Sequence, residues 1–205
     1  RVFYADRNNA ILLNEDGRVE CDSRDQYTIN KRLTELNCIE KYPRDKLLII
    51  RASNVIGLES GRHTFMGIAQ QSLIDSGEIL LNIGGASKKD FIPVEIFAKY
   101  MLEVILSGYV GVVNIGSGVL VSVNNVCDLL IKGYGSGKVK IQENSTNSGQ
   151  FALDLTKMRS IINQPAMSAI EMDNYIFSLG VRLKELKELK ELKELKELKE
   201  LKELK

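Results

Sequence analysis

The chain has 205 residues, 44% of them hydrophobic, and a net charge of +1, which suits one core with at most a small satellite. No apolar run nears the roughly 18–20 residues that span a bilayer, and no signal-like apolar stretch opens the chain, so no membrane partner is expected. The near-neutral balance, without a basic patch interleaved with aromatics, gives no reason to expect nucleic acid either.

The single histidine, His63, excludes a centre built on several histidines and reads as a loop or surface residue. Cys21, Cys38 and Cys127 are odd in number and widely spaced without a metal-ligand pattern, which fits a reducing, cytoplasmic compartment. No metal site is predicted.

In chain order, residues 2–5 (VFYA) predict a strand, and the polar residues 6–24 a long loop. Residues 26–41 predict a helix with Ile29, Leu33, Leu36 and Ile39 on one side, closed by Pro43. The apolar run Leu47–Ile50 predicts a strand buried on both faces of a parallel sheet, ending by Gly57. A helix follows over 64–76, then a strand over Ile79–Ile83. Val94–Leu106 predicts a helix that offers Ile96, Phe97, Tyr100, Met101 and Val104 to the core. Val110–Gly116 predicts another buried strand, and residues 122–132 an amphipathic helix with Ser122 as a candidate N-cap. Alternating strand and helix argue for an α/β fold.

From Leu183 to the end the chain repeats Leu-Lys-Glu, with eight leucines, eight lysines and seven glutamates. All three residue types favour helix. The period of three turns each leucine about 60° behind the last, so the stripe winds around the helix and forms no coiled-coil seam. This tail predicts a helical appendage whose exposed leucines invite self-association, with a partner-binding helix as the alternative.

The pattern Tyr-x-x-x-Lys occurs three times, at Tyr27/Lys31, Tyr42/Lys46 and Tyr134/Lys138. On a helix, positions four apart share a face, so a phenol and an ammonium can act on one ligand. Tyr42 precedes Pro43 and Tyr134 lies in the Gly-rich GYGSG stretch, so only Tyr27 falls on a helix ahead of a buried strand. A neighbouring ammonium favours the phenolate of a tyrosine that would otherwise be a poor base at neutral pH.

Five stretches, YTINKRLTE from Tyr27, LLIIRASNVIG from Leu47, KKDFIPVEIFAKYMLEVI from Lys88, GVVNIGSGVLVSV from Gly111 and LDLTKMRSI from Leu153, together resemble the extended short-chain dehydrogenase/reductase family. These are NAD-dependent nucleotide-sugar epimerases, dehydratases and reductases, and the resemblance covers about residues 1–165. It implies an incomplete Rossmann-like parallel sheet, a small C-terminal substrate-binding subdomain and the helical tail. By chain order, 1–60 would be the later part of the Rossmann-like domain, 61–182 the remaining sheet elements and substrate subdomain, and 183–205 the tail.

The resemblance further implies NAD or NADP as cofactor and a nucleotide-activated sugar as substrate. Tyr27 would exchange a proton with the sugar, and Lys31 would hold the nicotinamide ribose. Asn54 and Lys89 would contact the substrate; the alternatives are a turn-forming asparagine and a surface lysine. Lys89 stands where the family usually has arginine, which keeps the charge and loses the bidentate fork.

NIGSG, Asn114–Gly118, lacks the Walker lysine and the GxGxxG spacing, and reads as a strand-to-loop junction. Two family features are not evident: the Gly-rich dinucleotide turn, expected ahead of Arg1, and the catalytic Ser or Thr, for which Asn8 is the candidate substitute. The expectation is therefore a truncated NAD(P)-dependent enzyme; the alternative is a non-catalytic remnant or sugar-nucleotide-binding module.

Overall fold

The computed structural model describes residues 11–13, 15, 26–58, 60–83, 85–146 and 150–203. The strand expected at 2–5 and the candidate Asn8 lie outside them. The strands are β1 (Ile11–Leu13), β2 (Leu48–Ala52), β3 (Asn54–Ile56), β4 (Glu78–Ile83), β5 (Lys88–Pro93), β6 (Gly111–Ile115), β7 (Leu120–Ser122), β8 (Lys138–Thr146) and β9 (Gln150–Leu153). The helices are α1 (Gln26–Lys41), α2 (Phe65–Ser76), α3 (Val94–Leu106), α4 (Val123–Tyr134), α5 (Thr156–Ile161) and α6 (Ala169–Glu203). They form two compact units that interleave along the chain: residues 1–56, 86–122 and 147–169 in one, residues 57–85, 123–146 and 170–205 in the other.

In the first unit β2 and β6 pair in parallel, with Ile50 opposite Val113 and Ala52 opposite Ile115. A second sheet runs β1-β9-β5-β3, all parallel, with β7 antiparallel on β5. The core gathers Ile92, Tyr100, Val104, Val113, Ile115, Leu153, Leu155, Met158 and Ile162, and Ile96, Phe97 and Met101 pack at its edge. The face predicted for α3 is therefore the face it buries, as the 3.6-residue period requires.

Two expectations are corrected here. β1 falls inside the stretch predicted as loop, because the apolar triplet Ile11–Leu13 finds a parallel partner in β9 far along the chain. β2 is half-buried at every position rather than buried on both faces, and among the described residues it pairs with β6 alone. On α1, Leu33 and Leu36 are 50% and 43% exposed, Ile29 and Ile39 are half-buried, and Glu35 is buried. Ion pairs decide which face of α1 meets β2: Arg51 of β2 donates to the Glu35 carboxylate through Nε (3.2 Å) and Nη2, and Arg32 adds a third donor at 3.0 Å.

In the second unit β4 and β8 pair in parallel from Glu78 opposite Lys138 to Leu81 opposite Ile141. Thr64 caps α2 by accepting from the Gly67 amide at 3.1 Å, and Gly77 ends it at φ 69°, a left-handed conformation that glycine adopts without strain. α4 contributes buried Val126, Cys127, Leu130 and Tyr134; α6 contributes Met172, Ile176, Leu179 and Leu183. Burial pushes the Cys127 thiol up to about 12, with Asp128 adding to the shift, so it serves as an inert apolar group. α4 and α6 touch backbone to backbone at two glycines: a Cβ on Gly180 would lie 2.9 Å from the Gly133 Cα. Among the described residues no helix is long and apolar enough to cross a membrane.

Candidate functional site

The parallel strands β2 and β6 end side by side at Ala52 and Ile115, and the Ser53 amide donates to the Ile115 carbonyl at 2.9 Å. Beyond this point the chain leaves one sheet and enters the other. Asn54 opens β3 against β5, in register with Phe91. Its buried side chain fixes the switch, because Nδ2 donates to the Asp90 carbonyl at 2.7 Å. Asn54 is thus the first residue of a new strand.

Asp90 is fully buried, and its side chain organises the turn after β6. Oδ1 accepts from the Ser117 amide and hydroxyl, both at 3.0 Å, and Oδ2 from the Gly118 amide at 3.1 Å. Gly116 leaves room for the carboxylate, since a Cβ there would lie 2.6 Å from Oδ2. Burial raises the Asp90 pKa, and the three donors oppose the shift by favouring the charged form. NIGSG is therefore a junction whose amides are spent on an internal carboxylate, which is the geometry a phosphate would need. No phosphate loop remains in it.

Lys89 precedes Asp90 on β5, so strand alternation sends the two side chains to opposite faces: Asp90 is buried and Lys89 half-buried. Lys31 is exposed on α1, one turn from Glu35. Tyr27 lies in the first turn of the same helix. The Glu35–Arg51 contact ties that helix to β2 three residues before Asn54, and Arg51 Nη1 donates to the Glu15 carbonyl at 3.0 Å. The Glu15 carboxylate in turn accepts from the Asn114 amide at 2.9 Å.

Tyr27, Lys31, Asn54 and Lys89 thus all belong to the first unit, with Asn54 and Lys89 on paired strands. The other two Tyr-x-x-x-Lys matches do not form helical pairs. Tyr42 follows the end of α1, while Tyr134 is buried at the end of α4 and Lys138 opens β8, where it pairs with Glu78 at 2.7 Å. Sequence reading missed Glu15, Glu35, Arg51 and Asp90. A signal was present in two of them: an arginine inside the apolar run LLIIRA, and an aspartate directly before the apolar FIP.

No family model and no curated protein matches the chain. Solved structures do. An NAD-dependent NDP-hexosamine 5,6-dehydratase of tunicamycin biosynthesis superposes with TM-score 0.69 at 20% identity, over 84% of this chain and 58% of that one. A UDP-N-acetylglucosamine 4-epimerase from Methanobrevibacter ruminantium gives 0.64 at 17%, over 85% and 57%. A dTDP-glucose 4,6-dehydratase from Streptomyces venezuelae, solved with NAD bound, gives 0.65 at 19%, over 82% and 54%. The chain has the Rossmann-like α/β fold of NAD-dependent nucleotide-sugar epimerases and dehydratases, and spans little more than half the length of these examples.

Proposed function

We propose that the chain carries the substrate-facing part of an NAD(P)-dependent epimerase, dehydratase or reductase acting on a nucleotide-activated sugar. The observation that carries this reading is the shared fold together with the grouping of Tyr27, Lys31, Asn54 and Lys89 in one unit, with Asn54 just beyond the C-terminal end of the parallel strand β2, the kind of place where open α/β sheets take ligands. In this reading Tyr27 exchanges a proton with the sugar, and the Lys31 ammonium favours its phenolate and holds the nicotinamide ribose. Asn8 donates a hydrogen bond to the reacting oxygen. Lys89 supplies positive charge to the diphosphate, and Asn54 lines the same end of the sheet. The division at 60/61 and 182/183 belongs to the same reading.

Among the described residues, the amide-rich turn of NIGSG does not fit the pyrophosphate of the dinucleotide. The amides of the turn at Ser117–Gly118 already donate to the Asp90 carboxyl group and are not free for a second acceptor. When bound, NAD or NADP supplies the hydride chemistry, and this chain's own residues orient the sugar and move its proton. The second reading is a sugar-nucleotide-binding module without catalysis.

Titration calorimetry with UDP, dTDP and NAD separates the two. Both readings expect a nucleoside diphosphate to bind and Lys89→Ala to weaken it about tenfold, about 1.4 kcal/mol. NAD should bind no better than roughly millimolar, about 4 kcal/mol. Turnover of a UDP- or dTDP-sugar with NAD, abolished by Tyr27→Phe, selects the enzyme; binding without turnover selects the module. Failure of both diphosphates to bind at millimolar concentration removes both readings.

A further inference from the structure

Beyond Leu183 the helix α6 carries a surface that this fold does not use. Leu189, Leu192 and Leu195 are 54%, 55% and 55% exposed, and every residue from Glu188 to Glu197 is exposed. On a helix the rows joining positions three apart form ridges inclined at about 45° to the axis. A repeat of three makes each ridge chemically pure. Leu189, Leu192 and Leu195 form one apolar ridge. At its centre, Leu192 has Lys193 and Lys196 at i+1 and i+4 on one flank, and Glu191 and Glu188 at i−1 and i−4 on the other.

This arrangement selects its own partner. When two such ridges lie together with a two-fold axis along the ridge, the left and right flanks exchange, and the lysine flank of each chain meets the glutamate flank of the other. An axis across the ridge would instead place lysine on lysine. The permitted packing inclines both helices by about 45° to the common ridge, so they cross at about 90°, the rarer class in which the three-apart ridges of both helices interdigitate. A winding stripe excludes a lengthwise seam but permits this local crossing.

We propose that the tail is a homodimerisation site at which Leu189, Leu192 and Leu195 of two copies of this chain cross nearly at right angles, flanked on each side by lysine–glutamate contacts. Three leucines and four charges per chain form a patch far below the roughly 800 Å² per partner of a stable interface. The dimer is therefore weak, concentration-dependent and loosened by salt, because its charge contacts are exposed and screened.

Sedimentation equilibrium of the full chain between 10 µM and 1 mM (roughly the range in which so small a patch associates), at low salt, tests this, with circular dichroism to confirm that each variant keeps its helix. The wild-type chain should shift toward dimer across the range, and Leu192→Lys should remain monomeric. A charge pair provides the sharper arm. Glu188→Lys with Glu191→Lys gives two lysine flanks, and Lys193→Glu with Lys196→Glu gives two glutamate flanks. Each variant alone should lose association, and an equal mixture should recover it as a heterodimer. A wild-type chain monomeric at 1 mM, association undiminished by Leu192→Lys, or a mixture no more associated than its components would each overturn the proposal.

Discussion

From Ala169 to Leu183, α6 places Met172, Ile176, Leu179 and Leu183 at steps of four, three and four, and all are at most 4% exposed. Beyond Leu183 the same helix continues in steps of three, and Leu189, Leu192 and Leu195 are more than half exposed. At about 100° per residue the first set stays within a sector of about 60°, while each tail leucine falls about 60° further behind. Leu186 has turned just past the edge of the sector and is half-buried; Leu189 has left it. Both halves are helical and both are rich in large apolar side chains. What separates them is period, which decides whether an apolar residue finds a neighbour.

Substitutions along the helix turn this contrast into a gradient. Leu179→Ala should cost the most, about 2–5 kcal/mol in urea unfolding, because it leaves a cavity beside the tight Gly133/Gly180 contact. Leu186→Ala should cost about 1 kcal/mol, in keeping with a side chain that loses only part of its area to the fold. Removing residues 189–205 should move the melting temperature by no more than about 2 °C, since the leucines lost are exposed. A drop above about 5 °C would show the repeat packing on the second unit and would erase the contrast. Least of all, Glu188→Ala should leave stability unchanged within error: its contact with Lys184 is 3.8 Å long between side chains more than half exposed.

The same argument from period explains what could be read in advance. The face of α3 was legible because Ile96, Tyr100 and Val104 repeat at helical spacing and no stronger interaction competes. On α1, Leu33 and Leu36 obey the same rule and stay exposed, while Glu35 is buried and held by Arg51, sixteen residues away on another element. No window of local sequence contains that pair. The short strands β1, β3, β7 and β9 escaped for a related reason: three or four residues carry little periodic signal, and their partners lie far along the chain.

At the candidate site the Tyr-x-x-x-Lys spacing pointed to Tyr27 and Lys31, the family resemblance pointed to Asn54 and Lys89, and all four fall in one unit. Neither could reveal that the Asn54 amide is committed to the Asp90 carbonyl, or that the NIGSG amides are committed to the Asp90 carboxylate. Those facts depend on β5 lying beside β3 and β7, which is a property of the assembled sheet.

The winding of the tail also bears on how its length can change. A helix built from a three-residue unit is a screw: adding one Leu-Lys-Glu advances the end by about 4.5 Å and rotates it by about 300°, and every residue keeps the same neighbours three and four positions away. Copies can therefore be gained or lost one at a time without creating a fault at the join. Three residues inserted between Met172 and Leu183 would instead swing each buried side chain beyond the insertion by about 60° and carry Gly180 away from Gly133. Within one helix, then, one half is held to a fixed count of residues by its packing, and the other has no natural length.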